Sequence, residues 1–146
     1  MSKLKVYLAA PYVMKDLMKA RAETLRNLGI EVTSTWLDEP FKPTQGPEDL
    51  TPEQNRDLAE NDISDIHDSH IMVFQPDDTK TIVRAGRHVE FGIALALEMS
   101  IFVVGETREN IFHYGPNVTH FPTFTHVVRT LVDLAKELAY DKISVC

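Results

Sequence analysis

Three unbroken apolar runs, "KVYLAA" (Lys5–Ala10), "HIMVFQ" (His70–Gln75) and "SIFVVG" (Ser100–Gly105), alternate along the chain with longer segments of helical period. A short run with no polar face suits a strand covered on both sides, and such strands belong to parallel sheets sandwiched between helices. Met14–Leu28 places Leu17, Met18, Ala22, Leu25 and Leu28 at helical spacing and stops at Gly29, a residue that closes helices. "IEVTSTW" (Ile30–Trp36), rich in β-branched residues, follows as a second strand. "TPEQ" (Thr51–Gln54) has the form of a helix start, with Thr51 as cap, Pro52 at the first helical position and Gln54 closing a capping box. That helix is predicted to reach about Asp68. A third helix covers Arg84–Leu97, "VTHF" (Val118–Phe121) makes a short last strand, and "FTHVVRTLVDLAKELAY" (Phe124–Tyr140) a final helix capped near Thr123 or Thr125.

The predicted fold is one α/β domain over residues 1–146. It is Rossmann-like (flavodoxin-like), a parallel sheet of about five strands with helices on both faces. Ligands of such sheets bind beyond the carboxyl ends of the strands, where strand order reverses. Leu37–Leu50, with Pro40, Pro43, Gly46 and Pro47, is a loop long enough to cover a site there.

Several function classes fall away on composition and spacing. A net charge of −7 repels nucleic acid polymers and anionic membrane surfaces, and no run of about 18 apolar residues exists to span a membrane. The single cysteine, Cys146, allows no internal disulfide and no Cys-based zinc site, which fits a reducing, cytoplasmic setting. The turn "AAPYVMKD" after the first strand has neither the dinucleotide glycine fingerprint nor a phosphate P-loop, and it lacks the acids of a receiver domain. The six histidines are scattered without an H-E-x-x-H, so neither metal nor cofactor is expected.

Two carboxylates stand out. On a helical wheel of the second helix, Leu58, Ala59, Ile63 and Ile66 form an apolar stripe, and Asp62 lies inside it, with Asp65 at its margin. Glu90 sits in "RAGRHVEFGIALAL" (Arg84–Leu97) among Val89, Phe91, Ile93 and Leu95, which leave it little solvent-facing surface. At a helix N-terminus near the sheet edge Glu90 is expected to stay ionised and aimed into a crevice. Gly92, Ala94 and Ala96 are expected to let this helix pack closely on the sheet. One ionised carboxylate and one able to donate a proton are the minimum for double-displacement glycosyl chemistry, one enzyme class among several.

"KVYLAAPY", "ENDISDIHDSHIMVF", "GRHVEFGIALAL" and "ENIFHYGP", in that order across about residues 4–126, resemble the nucleoside 2-deoxyribosyltransferase family. The resemblance implies transfer of a 2-deoxyribosyl group between nucleobases without metal or cofactor. By the matched motifs it makes Glu90 the nucleophile, Tyr7 the hydroxyl beside it and Asp62 the group that handles the base and its proton. Ala10 and Tyr12 follow the first strand, with Tyr12 flanking the base. Asn110, Phe112 and His113 would enter a neighbouring subunit's pocket, where the asparagine touches the sugar. The partners implied are small deoxyribonucleosides, free nucleobases and further copies of the chain, at least a dimer and possibly a hexamer.

Arg84 stands where several family members carry a sugar-binding aspartate, so sugar contacts are expected partly from the backbone amides of Gly86 and Arg87. An arginine there also raises the alternative of hydrolysing 2'-deoxynucleoside 5'-monophosphates. A nucleotide-sensing module without turnover is the second alternative.

Overall fold

The apolar runs form a sheet because none of them offers a face to water. β1 (Lys5–Ala9), β3 (Ile71–Phe74) and β4 (Ser100–Val104) are buried at every position except Lys5 and Ser100. With β2 (Glu31–Val32) and β5 (Val118–Phe121) they make one five-stranded sheet in the order β2-β1-β3-β4-β5, every pair parallel. The helices are α1 (Lys15–Asn27), α2 (Pro52–His67), α3 (Gly86–Ala96) and α4 (Phe124–Ser144). The computed structural model describes residues 3–41, 45–77 and 85–144, with side chains as far as residue 139. Arg84 and Cys146 lie outside the described residues.

Strand order reverses between β1 and β3, so the loops leaving these two neighbours diverge to opposite sides of the sheet and open a crevice between them. The capping box at Thr51 is formed as the sequence requires: the Thr51 hydroxyl accepts the Gln54 N–H at 3.1 Å and Gln54 Oε1 accepts the Thr51 N–H at 2.9 Å. Gly29, at φ +81°, ends the turn that closes α1.

The second strand is shorter than its β-branched composition predicts. It ends at Val32 because side chains take over the pairing with β1. Ser34 Oγ accepts the Leu8 N–H at 2.7 Å and the Trp36 indole donates to the Leu8 carbonyl at 2.9 Å. Once β1 is satisfied that way, the chain is free to coil into a 3-10 turn over Thr35–Asp38. Asp65 fixes that turn, its Oδ2 accepting both the Thr35 N–H at 3.0 Å and the Thr35 hydroxyl at 2.6 Å.

Two packing expectations are corrected. On α2, Ala59 and Ile63 are exposed, and the inward face is Leu58, Asp62, Asp65 and Ile66. The wheel counted only apolar residues, whereas α2 uses acids to grip Thr35 and line the crevice. On α3, Ala94 is buried but Gly92 and Ala96 are exposed, Val89 is 65% exposed, and a methyl group added at Gly92 would meet nothing within 4 Å. Of the three small residues only Ala94 packs inward, and Gly92 and Ala96 face away from the core.

Candidate active site

A cavity of about 270 Å³ occupies the crevice at the switch point, close to the lower end of the roughly 300–1,000 Å³ usual for small-molecule sites. Ala10, Pro11 and Tyr12 form one wall where β1 ends, and Gly86, Arg87 and Glu90 of α3 form another. Leu58 and Asp62 of α2 and the segment carrying Trp36, Glu39 and Phe41 complete the pocket. Seven of the residues singled out from sequence thus converge here: Glu90, Asp62, Ala10, Tyr12, Gly86 and Arg87 on the walls, and Tyr7 behind Glu90.

Glu90 is the fifth residue of α3, past the first turn, so the helix N-terminus does little for its charge. It keeps only the surface that the pocket opens, and Oε2 is enclosed without a hydrogen bond. Burial pushes its pKa up to about 8; the Tyr7 hydroxyl acts in the opposite sense and the Asp62 charge adds to the rise. This corrects the expectation of a standing carboxylate: desolvation outweighs the dipole. Tyr7 is fully buried and its hydroxyl has no hydrogen bond of good geometry, although it lies near enough to favour the ionised form of Glu90. Burial, then the charges of Glu90 and Asp62, hold the Tyr7 phenol well above its ordinary value, so it stays a donor.

Asp62 has its pKa raised to about 7, by burial first and then by the charges of Glu39 and Asp65, and its Oδ1 is enclosed without a partner. Buried oxygens with nothing to bond to are rare and costly in a finished fold. Here three of them, on Glu39, Asp62 and Glu90, belong to residues that line one cavity, and a fourth, on Tyr7, lies behind Glu90. The arrangement is suited to a polar ligand and holds two protonatable carboxyls near neutrality, the requirement for passing a proton to a leaving group while a second acid attacks.

Tyr12 and Trp36 stand with ring centroids 5.8 Å apart, a tilted pair on the pocket wall. Burial, then Glu39 and Asp62, raise the Tyr12 pKa. The chain around Phe41 is pinned rather than loose. Buried Lys15 donates from Nζ to the Glu39 carbonyl at 2.6 Å and to the Phe41 carbonyl at 3.1 Å.

The Arg87 side chain is committed within the protein, and His113 is placed away from the pocket. The Arg87 side chain is buried and paired with Glu109, whose carboxylate also lies 3.3 Å from His88 Nε2 and accepts the Asp77 N–H at 3.2 Å. Its charge is thereby matched within the protein. His113 is fully buried against Phe74 and Phe91, at centroid distances of 5.0 and 4.6 Å, so it can contact neither this pocket nor a neighbour's. Burial lowers its pKa and keeps the ring neutral, and Nδ1 accepts the Glu109 N–H at 3.2 Å.

Asn110 and Phe112 are also away from Glu90. Asn110 caps a 3-10 turn, its Oδ1 accepting the Phe112 N–H at 2.9 Å. Both line a second, mostly apolar cavity of about 600 Å³ with His88, Val89, Gly92 and Leu95. Among the described residues no group of three or more His, Cys, Asp or Glu side chains could hold a metal ion, and no helix is long and apolar enough to cross a membrane.

Glu39, Lys15 and Glu109 are the residues that sequence reasoning passed over. Lys15 left a signal, since a cation at the start of a helix opposes the dipole and asks for another partner. Glu39 left a weaker one, an acid between Trp36 and Phe41 in a loop suspected of covering a site.

Comparison with known proteins bears on this pocket. The family model described as nucleoside 2-deoxyribosyltransferase matches residues 6–137. Among solved structures, a CMP N-glycosidase from Clostridium botulinum is similar at 25% identity and a TM-score of 0.55, over 89% of this chain and 98% of the other. A 2-deoxyribosyltransferase from the psychrotolerant bacterium Bacillus psychrosaccharolyticus is similar at 23% identity and a TM-score of 0.64, over 87% and 95%. No curated protein matches.

Proposed function

The chain belongs to the nucleoside 2-deoxyribosyltransferase family, and from that premise we propose that it exchanges the nucleobase of 2'-deoxyribonucleosides through a deoxyribosyl ester on Glu90. The observation that carries this reading is the pairing of two elevated carboxyls, Glu90 and Asp62, with unbonded oxygens on one pocket at the sheet's switch point.

In the proposed cycle a carboxylate oxygen of Glu90 attacks C1' from the face opposite the base. The C1'–N bond breaks, its electron pair leaves with the base, and Asp62 gives that base its proton. A second base then attacks C1', loses its N–H proton to the Asp62 carboxylate and frees Glu90, with net retention. Water attacking the same ester gives free deoxyribose. Tyr7 favours the ionised form of Glu90 against the burial that raises it, and Tyr12 with Trp36 flanks the base.

The proposed active unit is at least a dimer. Val89 at 65%, Ile111 at 77%, Phe112 at 59% and Tyr114 at 73% exposure place apolar surface beside the second cavity, more than isolated surface residues account for. A neighbouring copy packed on this surface would cover it, and in the proposed unit the Asn110 of one copy reaches the sugar in the other's pocket. Full activity in a species that light scattering measures as a monomer would sink this part of the reading.

Incubation with deoxyinosine and free adenine tests the reaction. Deoxyadenosine is the expected product, deoxyribose alone would mean hydrolysis, and no product at all would leave the sensing module. The hydrolysis of monophosphates is supported by the similarity to a CMP N-glycosidase, and the neutralisation of Arg87 by Glu109 weighs against it. The same assay with deoxycytidine 5'-monophosphate separates the two.

The pair also predicts a pH profile. Turnover needs one proton shared between Asp62 and Glu90. Below about 7 the second carboxyl also takes a proton and the nucleophile is lost; above about 8 the last proton leaves and the acid is lost. The expected kcat/KM profile is a narrow bell between those values, and a plateau extending from pH 5 to 7 would contradict it.

A further inference from the structure

Glu39 takes no part in the cycle just described, yet its carboxyl lines the same pocket and its Oε1 is enclosed with nothing to bond. Its neighbours locate it. Asp62 is on α2, which packs against both α3, carrying Glu90, and the Thr35–Asp38 turn that leads into Glu39. Glu39 therefore lies beyond Asp62 on the side away from the nucleophile. If Glu90 faces the sugar and Asp62 the ring nitrogen that receives the proton, Glu39 faces the next group along the base edge.

That position has a definite chemistry. In cytosine the ring acceptor N3 is followed by an exocyclic amine, and in adenine N7 is followed by one. In uracil, thymine, hypoxanthine and guanine the corresponding group is a carbonyl. A carboxylate accepts hydrogen bonds and donates none, so it welcomes an amine and repels a carbonyl. The Lys15 ammonium lies beside Glu39 and favours its ionised form, opposing the effect of burial. Oε1 is enclosed and takes no protein hydrogen bond, so the carboxyl gives up no protein partner there when it turns toward an amine in the pocket. The Lys15 bonds to the Glu39 and Phe41 carbonyls fix the backbone from which the carboxyl projects.

We infer that Glu39 selects amino bases: cytosine and adenine, whose exocyclic amine donates to its carboxylate while Asp62 meets the adjacent ring nitrogen. The inference rests on the proposed reaction for the orientation of the base but is tested without turnover. Binding of free cytosine, adenine, uracil and hypoxanthine to the full chain is measured by calorimetry at pH 7.5, for the wild type and for Glu39→Gln. The amide of glutamine both accepts and donates, so it tolerates either edge.

The expected result is that each amino base binds about tenfold or more tightly than its keto counterpart, the discrimination usual for one well-placed polar pair, and that Glu39→Gln reduces the ratio to within about threefold of one. Equal binding in the wild type overturns the inference. So does a preference that survives in Glu39→Gln, or failure of every base to bind. Absence of base exchange with the binding preference intact would sink the proposed reaction and leave the assignment of Glu39 standing.

Discussion

Glu90→Gln is expected to lower base exchange by about three orders of magnitude or more, because it removes the carboxylate that forms the ester, and losses of that size accompany removal of a nucleophile. The same substitution is expected to make the fold more stable. An unfolded glutamate titrates near 4.5 and the folded Glu90 at about 8. Between those values the folded chain keeps a proton that the unfolded chain has lost, so stability falls as pH rises through the window. Glutamine has no charge to bury. Its advantage is nil below about pH 4.5 and reaches roughly 1–3 kcal/mol at pH 8, several degrees of melting temperature for a domain of this size. Thermal melts at pH 4.5 and pH 8 check the sign, and turnover checks the role. A stable variant that exchanges bases normally would remove Glu90 from the mechanism. Mass spectrometry of wild-type protein quenched with a deoxynucleoside should find the sugar on Glu90, and an adduct elsewhere would reassign the nucleophile.

The second large effect is expected at Asp62. Asp62→Asn removes the proton donor, and general acid catalysis is typically worth 10²–10⁴ in rate. The loss should depend on the leaving base. An electron-poor base that departs without help should lose little, whereas adenine should lose nearly the whole factor. The alkaline limb of the pH profile disappears with the carboxyl that produces it. Asp62 is already protonated across the acidic limb, so replacing it with a neutral amide should leave that limb close to its place. A uniform loss across all leaving bases, with both limbs unchanged, would make Asp62 a structural residue.

These carboxyls are costly, and the fold concentrates that cost at one place. Elsewhere α2 uses its acids conventionally: Asp65 Oδ2 accepts both the N–H and the hydroxyl of Thr35. At the crevice Asp62, Glu39 and Glu90 each keep an enclosed oxygen without a bond. The local arrangement is built for an occupant, and the free protein bears the penalty.

The strands and the helix caps were legible in the residues because their causes are local. A continuous apolar run such as Ile71–Phe74 has only one way to avoid water, and a Thr-Pro-x-Gln start satisfies its own amides. Asp62 was legible for the same reason, since the period of the helix decides which way its side chain points. The error on the same helix was to require that an inner face be apolar.

Glu90 could be picked out as misplaced, but its protonation could not. Sequence puts it near a helix start; only the surrounding Tyr7, Asp62 and pocket wall determine that desolvation outweighs the dipole. Arg87, His113 and Glu39 show the same division. Sequence reasoning gave Arg87 a backbone contact to the sugar, made His113 a subunit-bridging group and passed over Glu39. Glu109, 22 residues away, claims Arg87; Phe74 and Phe91 enclose His113; and the turn held by Asp65 and Lys15 brings Glu39 to the pocket. What the chain determines by itself is what can be read at the spacing of a strand or a helical turn. Charge state and orientation are decided by partners distant in sequence, because electrostatic free energy depends on distance and desolvation in space, and the tertiary structure alone sets both.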